Sequence, residues 1–126
     1  MKEVFAIIRM NMIGRTKQAL SDAGIISMNA HACLGRGRGL VDLSLLKGAE
    51  RGYEEAITQL GQGGKLIPKR ILNIVLPDDK VKKAVRTIID INQTGKSGDG
   101  KIFVMAASDS VRVRTGEIGD LALDES

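Results

Sequence analysis

The chain is poor in aromatic and in metal-binding residues. Its 126 residues include no tryptophan, one tyrosine, two phenylalanines, one cysteine and one histidine. Cys33 alone cannot form an internal disulfide, and with a single His31 the sequence offers no cluster that could bind zinc. Both lie in the alternating run from Ser27 to Leu34, where we expect ordinary strand residues. The net charge of +4 favours an anionic partner, but without base-stacking aromatics we expect no nucleic acid.

Long apolar runs are also absent. None approaches the ~20 residues that a membrane-spanning helix needs, and the start of the chain leads into an apolar segment without a signal-peptide pattern. We therefore expect a cytoplasmic protein with no membrane span. The length favours a single domain over residues 1–126, with a core that must be aliphatic.

The hydrophobic pattern predicts an α+β fold. Strands are predicted at Val4 to Ile8, Ile25 to Leu34, Ile71 to Leu76 and Ile102 to Ala107. Helices are predicted over 13–23, ended by Gly24, and after Pro77. The order βαββαβ fits a ferredoxin-like sandwich, in which two helices cover one face of an antiparallel sheet. Because the strands are aliphatic on both faces, we expect copies of the chain to pack sheet against sheet in a homo-oligomer.

A long connection separates the second and third predicted strands, over about residues 36–65. Connections in compact domains usually have about 4 to 6 residues, so this one is either a recognition loop or an inert insertion. It is entered by Gly35-Arg-Gly-Arg-Gly39 and left by Lys65-Leu-Ile-Pro-Lys-Arg70, and these basic segments favour the recognition loop. Within it, Tyr53 to Leu60 has modest helical character and could order on meeting a partner. A tail is predicted over about 116–126.

The stretch Thr94-Gly-Lys-Ser-Gly-Asp-Gly-Lys101 predicts a phosphate site just before the last strand. Glycines allow successive N–H groups to point into one concavity, and lysines add positive charge there. The motif is not a Walker A loop, because Asp90 stands five residues before Gly95 and a strand follows instead of a helix. A solvated surface turn is the alternative. A second basic pair, Arg112 and Arg114, is predicted on one face of an extended segment, so that both guanidinium groups project together.

Several segments, in this order, resemble a known family. They are Met1 to Ile8, Leu34 to Arg38, Gly48 to Glu50, Ile67 to Lys69, Pro77 to Asp79, Thr94 to Val104 and Arg112 to Glu117. The chain resembles, from end to end, the PII nitrogen-regulatory signal proteins. The resemblance implies a homotrimer of ferredoxin-like subunits that senses adenine nucleotides and 2-oxoglutarate.

The resemblance also implies site residues. ATP or ADP would bind between subunits at Ile7, Asn29, Gly35, Gly37, Arg38, Gly98, Asp99, Gly100, Lys101, Arg112 and Arg114. Asn29, where the family commonly has threonine, would lie near the adenine. The effector 2-oxoglutarate would bind at Gly37, Gly39 and Lys69.

The chain also departs from the family pattern. Where the family has the glutamine that helps Mg²⁺ and 2-oxoglutarate bind, this chain has Gly39. We therefore expect Mg²⁺ to arrive with ATP and to have no side-chain ligand. Arg51 occupies the position of the tyrosine that is uridylylated in some members, with Tyr53 two places on, so this modification is expected to be absent.

The loop carries about eleven residues more than an ordinary PII loop. In this loop length and in the sequences of its two ends, the chain resembles the long-loop second type of PII protein encoded in nitrogen-fixation operons. That likeness implies a related PII subunit in a mixed assembly and the dinitrogenase component of nitrogenase as the target. The alternative is a PII regulator of another target, such as an ammonium transporter or a transcription system. An ATP-hydrolysing enzyme is a third class that we do not expect, because Asp99 is the only acid in the glycine-rich motif and no Walker B carboxylate can be placed beside it.

Overall fold

A computed structural model of the chain describes residues 1–37 and 66–125. Its regular elements are β1 (Lys2–Arg9), α1 (Ile13–Asp22), β2 (Asn29–Gly35), β3 (Ile67–Leu76), α2 (Asp78–Asn92) and β4 (Lys101–Ala106). Short 3₁₀ turns lie at Met10–Met12 and Gly119–Ala122. The strands form one antiparallel sheet in the order β2-β3-β1-β4. This is the predicted ferredoxin-like α+β fold.

The core lies between the sheet and the helices. Alternate residues of β1 and β3 pair on one face, with Val4 opposite Ile74 and Ala6 opposite Leu72, and these four are fully buried. From the helices, Leu20, Ala84 and Ile88 join the same cluster. The buried hydrophobic residues in the described part of the chain are all aliphatic, as the composition predicted. Burying each large aliphatic side chain contributes about 1.5 to 3 kcal/mol.

The opposite sheet face carries an apolar patch beside polar residues such as Glu3 and Asn73, which are hydrogen-bonded to each other. Phe5, Ile7 and Ile71 lie on it by alternation and register, together with Phe103 and Met105. The rings of Phe5 and Phe103 meet edge to face, with centroids 6.3 Å apart. Phe103 and Met105 are 46% and 42% exposed. This face therefore offers apolar surface for packing against another molecule.

Some predicted element bounds were wrong. The second strand begins at Asn29 instead of Ile25, because the backbone N–H groups of Ile26 and Ser27 donate to the Glu125 carboxylate at 3.1 and 2.8 Å and not to a neighbouring strand. Ile25 is nevertheless buried in the core. The first and third strands are longer than predicted, since their ends pair with each other in the sheet.

Part of the predicted recognition loop lies outside the described residues. Arg38, Gly39, Arg51 and the segment Tyr53 to Leu60 belong to that part. In residues 1–37 and 66–125, no helix is long and apolar enough to cross a membrane.

Candidate functional site

The glycine-rich stretch from Thr94 to Lys101 is a loop held together by Asp99. One carboxylate oxygen of Asp99 accepts the backbone N–H groups of Thr94 and Gly95, at 2.7 and 2.9 Å. The other oxygen accepts the Thr94 hydroxyl and Nη1 of Arg9, the latter at 2.7 Å. The side-chain and backbone hydrogen bonds from Thr94, followed by that from Arg9, hold the pKa of Asp99 far below its ordinary value. Asp99 is therefore ionised at neutral pH and closes the loop from within.

Two cationic side chains fix the same loop to the sheet. Arg9 and Lys69 are paired residues of β1 and β3. The Arg9 Nη2 donates to the Ser97 carbonyl at 3.1 Å, and the Lys69 Nζ donates to the Gly98 carbonyl at 3.2 Å. Charge-assisted hydrogen bonds of this kind are roughly twice as strong as neutral ones. The loop is thus positioned by the ends of two neighbouring strands.

Glycine is required where the loop enters β4. Gly100 has φ +120°, and a Cβ there would lie 2.1 Å from the Ile7 carbonyl oxygen. Gly98 has φ +97°, and a Cβ there would lie 3.2 Å from Nη2 of Arg9. The two glycines permit a left-handed backbone and the close approach of the loop to β1.

A cavity of about 290 Å³ lies in front of this loop. It brings together six of the residues predicted to bind nucleotide, which are Ile7, Gly35, Gly37, Gly98, Gly100 and Lys101. Lys69, predicted to bind 2-oxoglutarate, also lines it, as do Arg36 and Phe103. Lysine side chains beside glycine backbone suit an anion, and Ile7 and Phe103 supply an apolar wall.

The other predicted site residues that the structure describes do not line this cavity. Asp99 stabilises the loop from behind, and Asn29 lies at the exposed start of β2. Arg112 and Arg114 lie in the C-terminal segment and are not among the lining residues. Arg38 and Gly39 fall outside the described residues.

The prediction that Arg112 and Arg114 share one face of an extended segment was wrong. The chain reverses there, because Gly116 has φ +76° and its N–H donates to the Arg112 carbonyl at 2.7 Å. Val111 then pairs with Ile118 in an isolated bridge, so that residues 111–118 form a short hairpin. The side chain of Arg114 is exposed, whereas the Arg112 guanidinium contacts acids of its own segment.

Those acids hold Arg112 in place. Its Nη1 donates to Glu117 at 2.8 Å, and its Nη2 donates to the Leu121 carbonyl at 3.3 Å and lies 3.7 Å from Asp124. A hydrogen bond from Thr115, with the charge of Arg112, holds the pKa of Glu117 below its ordinary value. The Arg112 guanidinium is therefore held in a fixed orientation by carboxylates, and another anion could compete with these carboxylates for it.

Sequence reasoning missed the roles of Arg9 and Glu117. Arg9 is 90 residues from Asp99 along the chain, so no local pattern indicates their contact. Glu117 lies within the predicted Arg112 to Glu117 segment. However, the extended conformation expected there gave no reason to predict a contact between Glu117 and Arg112. One observation could have indicated that Arg9 contacts the loop, namely that Arg9 pairs with Lys69 across β1 and β3. This pairing is known only once the strand register is known.

A family model described as nitrogen regulatory protein P-II matches residues 1–117, which include strands β1 to β4, the glycine-rich loop and the segment from Arg112 to Glu117. The chain belongs to this family. This P-II protein is similar to the nitrogen fixation nifHD region GlnB-like protein 2 of Methanobacterium ivanovii, with 42% identity over 128 residues, covering 98% of this chain and 99% of that protein.

Further relatives show similar coverage. The nitrogen fixation nifHD1 region GlnB-like protein 2 of Methanosarcina barkeri is 42% identical over 133 residues, covering 98% of this chain and 99% of its own length. The nitrogen regulatory protein P-II 1 of Escherichia coli K12 is 38% identical over 123 residues, covering 98% of this chain and 100% of its own length. The likeness therefore extends over nearly the whole chain.

Proposed function

We propose that this P-II protein binds ATP or ADP at the loop 94–101 and regulates nitrogenase through its long loop. The observation that carries the nucleotide part is the cavity that gathers Ile7, Gly35, Gly37, Gly98, Gly100 and Lys101. Lys101 supplies charge for phosphates. Ile7 and Phe103 offer apolar surface for a base.

The site is completed by a second subunit in this proposal. Arg112 and Arg114 do not line the cavity of their own chain, yet their hairpin exposes apolar residues, with Val113 99% exposed. The open sheet face exposes Phe103 and Met105 in addition. A homotrimer that buries these surfaces and brings one subunit's arginines to the next subunit's loop accounts for both features.

The phosphates would then compete for Arg112 with the carboxylates that now hold it. Glu117 lies 2.8 Å and Asp124 3.7 Å from the guanidinium. Both are partly exposed, so these pairs are screened and individually weak. A polyphosphate can displace Asp124 while Glu117 keeps the guanidinium oriented.

We extend the proposal to 2-oxoglutarate and Mg²⁺. Lys69 lines the nucleotide cavity and is almost fully buried, with its ammonium on the Gly98 carbonyl. A carboxylate of 2-oxoglutarate would compensate this buried charge. Mg²⁺ would be held by phosphates, water and 2-oxoglutarate, because Gly39 supplies no side-chain oxygen.

The names of the relatives support nitrogen fixation as the regulated process, since those of Methanobacterium ivanovii and Methanosarcina barkeri are nitrogen fixation region proteins. The proposed target is the dinitrogenase component, engaged when 2-oxoglutarate is low by a mixed assembly with a related PII subunit. The similarity to nitrogen regulatory protein P-II 1 keeps regulation of an ammonium transporter or a transcription system as the second candidate.

Calorimetry tests the nucleotide site. Lys101→Ala should weaken ATP about tenfold to hundredfold, because one charge-assisted contact contributes roughly 1.5 to 3 kcal/mol. Lys82→Ala, at an exposed position of α2, removes the same charge away from the cavity and should leave the affinity unchanged. Equal affinities of both variants would contradict the site.

Two further measurements test the regulatory role. The protein should bind purified dinitrogenase component with ATP or ADP present and release it when 2-oxoglutarate is added. Binding that ignores 2-oxoglutarate would contradict ligand gating. Steady ATP turnover near the ordinary enzymatic rate of about 10 s⁻¹ would contradict a regulator that does not act as an enzyme.

A further inference from the structure

The last described residues of the chain pack against the body of the fold, and we call Leu121 to Glu125 the tail strap. Leu123 and Glu125 are only 8% and 7% exposed, whereas the side chain of Asp124 between them is 64% exposed. Leu123 has extended backbone angles, φ −86° and ψ 138°, and side chains alternate in direction along an extended segment. Leu123 and Glu125 therefore face inward, and Asp124 faces outward.

Glu125 anchors the strap on backbone just outside the sheet. Its Oε1 accepts the N–H groups of Ile26 and Ser27, at 3.1 and 2.8 Å, shortly before β2 begins at Asn29. Successive N–H groups that converge on one oxygen form a concavity for an anion. A carboxylate buried to this degree needs such donors, because an ionised group without partners is costly to remove from water. Since hydrogen bonds to an ionised acceptor are roughly twice as strong as neutral ones, Glu125 is the firm attachment point of the strap.

The outward side of the strap meets Arg112. The Nη2 of Arg112 donates to the Leu121 carbonyl at 3.3 Å and lies 3.7 Å from the Asp124 carboxylate. Both contacts are longer than the 2.8 Å between Nη1 and Glu117. Polar contacts of this length between partly exposed groups contribute little on their own. The position of Asp124 therefore depends on the anchor at the neighbouring residue, Glu125.

We propose that the tail strap is an autoinhibitory element, which Glu125 anchors so that Asp124 competes with nucleotide phosphates for Arg112. This inference rests on the proposed nucleotide function, in which Arg112 binds phosphate. If the strap lowers nucleotide affinity by some factor, nucleotide loosens the strap by the same factor. Nucleotide binding then changes the backbone contacts of Ile26 and Ser27, which do not line the nucleotide cavity.

The opposite role for the strap would be to orient Arg112 for phosphate. Glu117 already provides this orientation through its 2.8 Å contact with Nη1. A second carboxylate, that of Asp124, adds a negative charge beside the same guanidinium and so lowers the attraction that a phosphate meets there. Competition is therefore the role that the two carboxylates favour.

Three single substitutions in the full chain test the strap by calorimetry with ATP. Asp124→Asn removes the competing charge and keeps the shape, so ATP should bind about two- to fivefold more tightly, the factor that one weak exposed ion pair supplies. Glu125→Ala removes the anchor and should tighten ATP binding to a similar extent. Asp120→Asn is the matched control, because it removes the same charge from an exposed residue nearby that forms neither ion pair of Arg112. It should bind ATP like the wild type.

Hydrogen exchange at the Ile26 and Ser27 amides reports the anchor directly. Both amides should be protected in the nucleotide-free wild type and in nucleotide-free Asp124→Asn, which keeps the anchor. Saturating ATP should accelerate their exchange in the wild type. In Glu125→Ala, exchange should be fast with and without ATP, because the acceptor of both N–H groups is gone.

The possible results separate the anchor, the competition and the nucleotide function. Unchanged or weaker ATP binding by Asp124→Asn would overturn the inhibitory role, and so would an equal gain in Asp120→Asn. Because Asp124 is exposed, this comparison stays decisive even if Glu125→Ala fails to fold. Exchange at Ile26 and Ser27 that is the same in Glu125→Ala and the wild type would overturn the anchor. A wild type that binds no ATP would contradict the nucleotide function and with it the inhibitory role, while exchange in the nucleotide-free protein would still decide the anchor.

Discussion

Arg9 and Asp99 form an ion pair at 2.7 Å that joins the end of β1 to the glycine-rich loop. Exposed pairs contribute little on their own, but this one belongs to a network in which Asp99 also accepts three hydrogen bonds from Thr94 and Gly95. Both side chains are less than one-third exposed. The loop that forms one wall of the proposed nucleotide cavity therefore has its conformation set by the sheet before any ligand binds.

Replacing Asp99 with asparagine should loosen this loop in a pH-dependent way. The folded-state pKa of Asp99 is lowered from its ordinary 3.8, so its contribution is fully present above that value and is lost as the pH falls through the folded-state pKa. We expect Asp99→Asn to unfold at lower temperature than the wild type at pH 7, with the difference shrinking below about pH 4. Asp90→Asn, at an exposed site on α2, is the control. Thermal unfolding with the same difference at every pH would contradict an ionised Asp99 as the organiser.

Gly100→Ala should destabilise the protein and abolish nucleotide binding. The left-handed conformation alone costs about 1 to 3 kcal/mol for a residue with a Cβ, and the Ile7 carbonyl must also move. Gly14→Ala is the matched control, because nothing lies within 4 Å of its added Cβ and it sits in α1, where alanine stabilises by about 0.4 to 1 kcal/mol. Denaturant unfolding should separate the two variants in sign. Equal stabilities would show that the loop can approach β1 differently.

The open sheet face predicts the oligomeric state. Light scattering should report trimers or multiples of three for the wild type. Met105→Glu should shift the protein to smaller species, because it places a charge on a 42% exposed apolar position away from the nucleotide cavity. Lys82→Glu makes a charge change on the helix face and should keep the trimer. A stable wild-type monomer at micromolar concentration would contradict this packing.

Much of the fold was predictable because the strands and helices carry their own periodicity. Alternation in Val4, Ala6 and Ile8 and helical spacing in Val81, Val85 and Ile88 depend on neighbouring residues alone. The glycine-rich loop was likewise recognisable from its composition. Its partners were not, because Arg9 and Lys69 reach it only through the strand register.

The C-terminal segment shows where local reasoning failed. Alternating valine and arginine predicts an extended strand, but Gly116 allows a reversal that pairs Arg112 with Glu117. The start of β2 failed for a related reason, since Glu125 takes two N–H groups that the pattern assigned to a strand. In both places a tail residue competes for groups that the local pattern had already assigned.

The departure at Gly39 predicts a division of labour for 2-oxoglutarate. In the proposed site, Mg²⁺ without a glutamine oxygen would lack one near-octahedral ligand, and the dicarboxylate would lack part of its support. With saturating Mg-ATP, we expect 2-oxoglutarate to bind the isolated homo-oligomer at least about tenfold more weakly, ~1.4 kcal/mol, than a mixed assembly whose related subunit retains the glutamine. Lys69→Met in this chain should remove the residual binding. Calorimetry giving equal affinities for the two assemblies would refute the division.

A mixture of two variants with weakened ATP binding tests whether the proposed nucleotide site is shared between subunits. Lys101→Ala removes charge from the cavity, and Arg112→Ala removes the proposed contribution of the neighbouring subunit. Each variant alone should bind ATP about tenfold to hundredfold more weakly than the wild type.

When the two variants are unfolded and refolded together, a site is intact if its loop comes from the Arg112→Ala chain and its hairpin comes from the Lys101→Ala chain. Random assortment in a cyclic trimer makes about a quarter of the sites intact, so calorimetry should recover that share at wild-type affinity. Variants refolded separately and then mixed provide the control and should recover none if subunits do not exchange. If the co-refolded mixture also recovers none while forming mixed trimers, Arg112 acts within its own subunit or not at all.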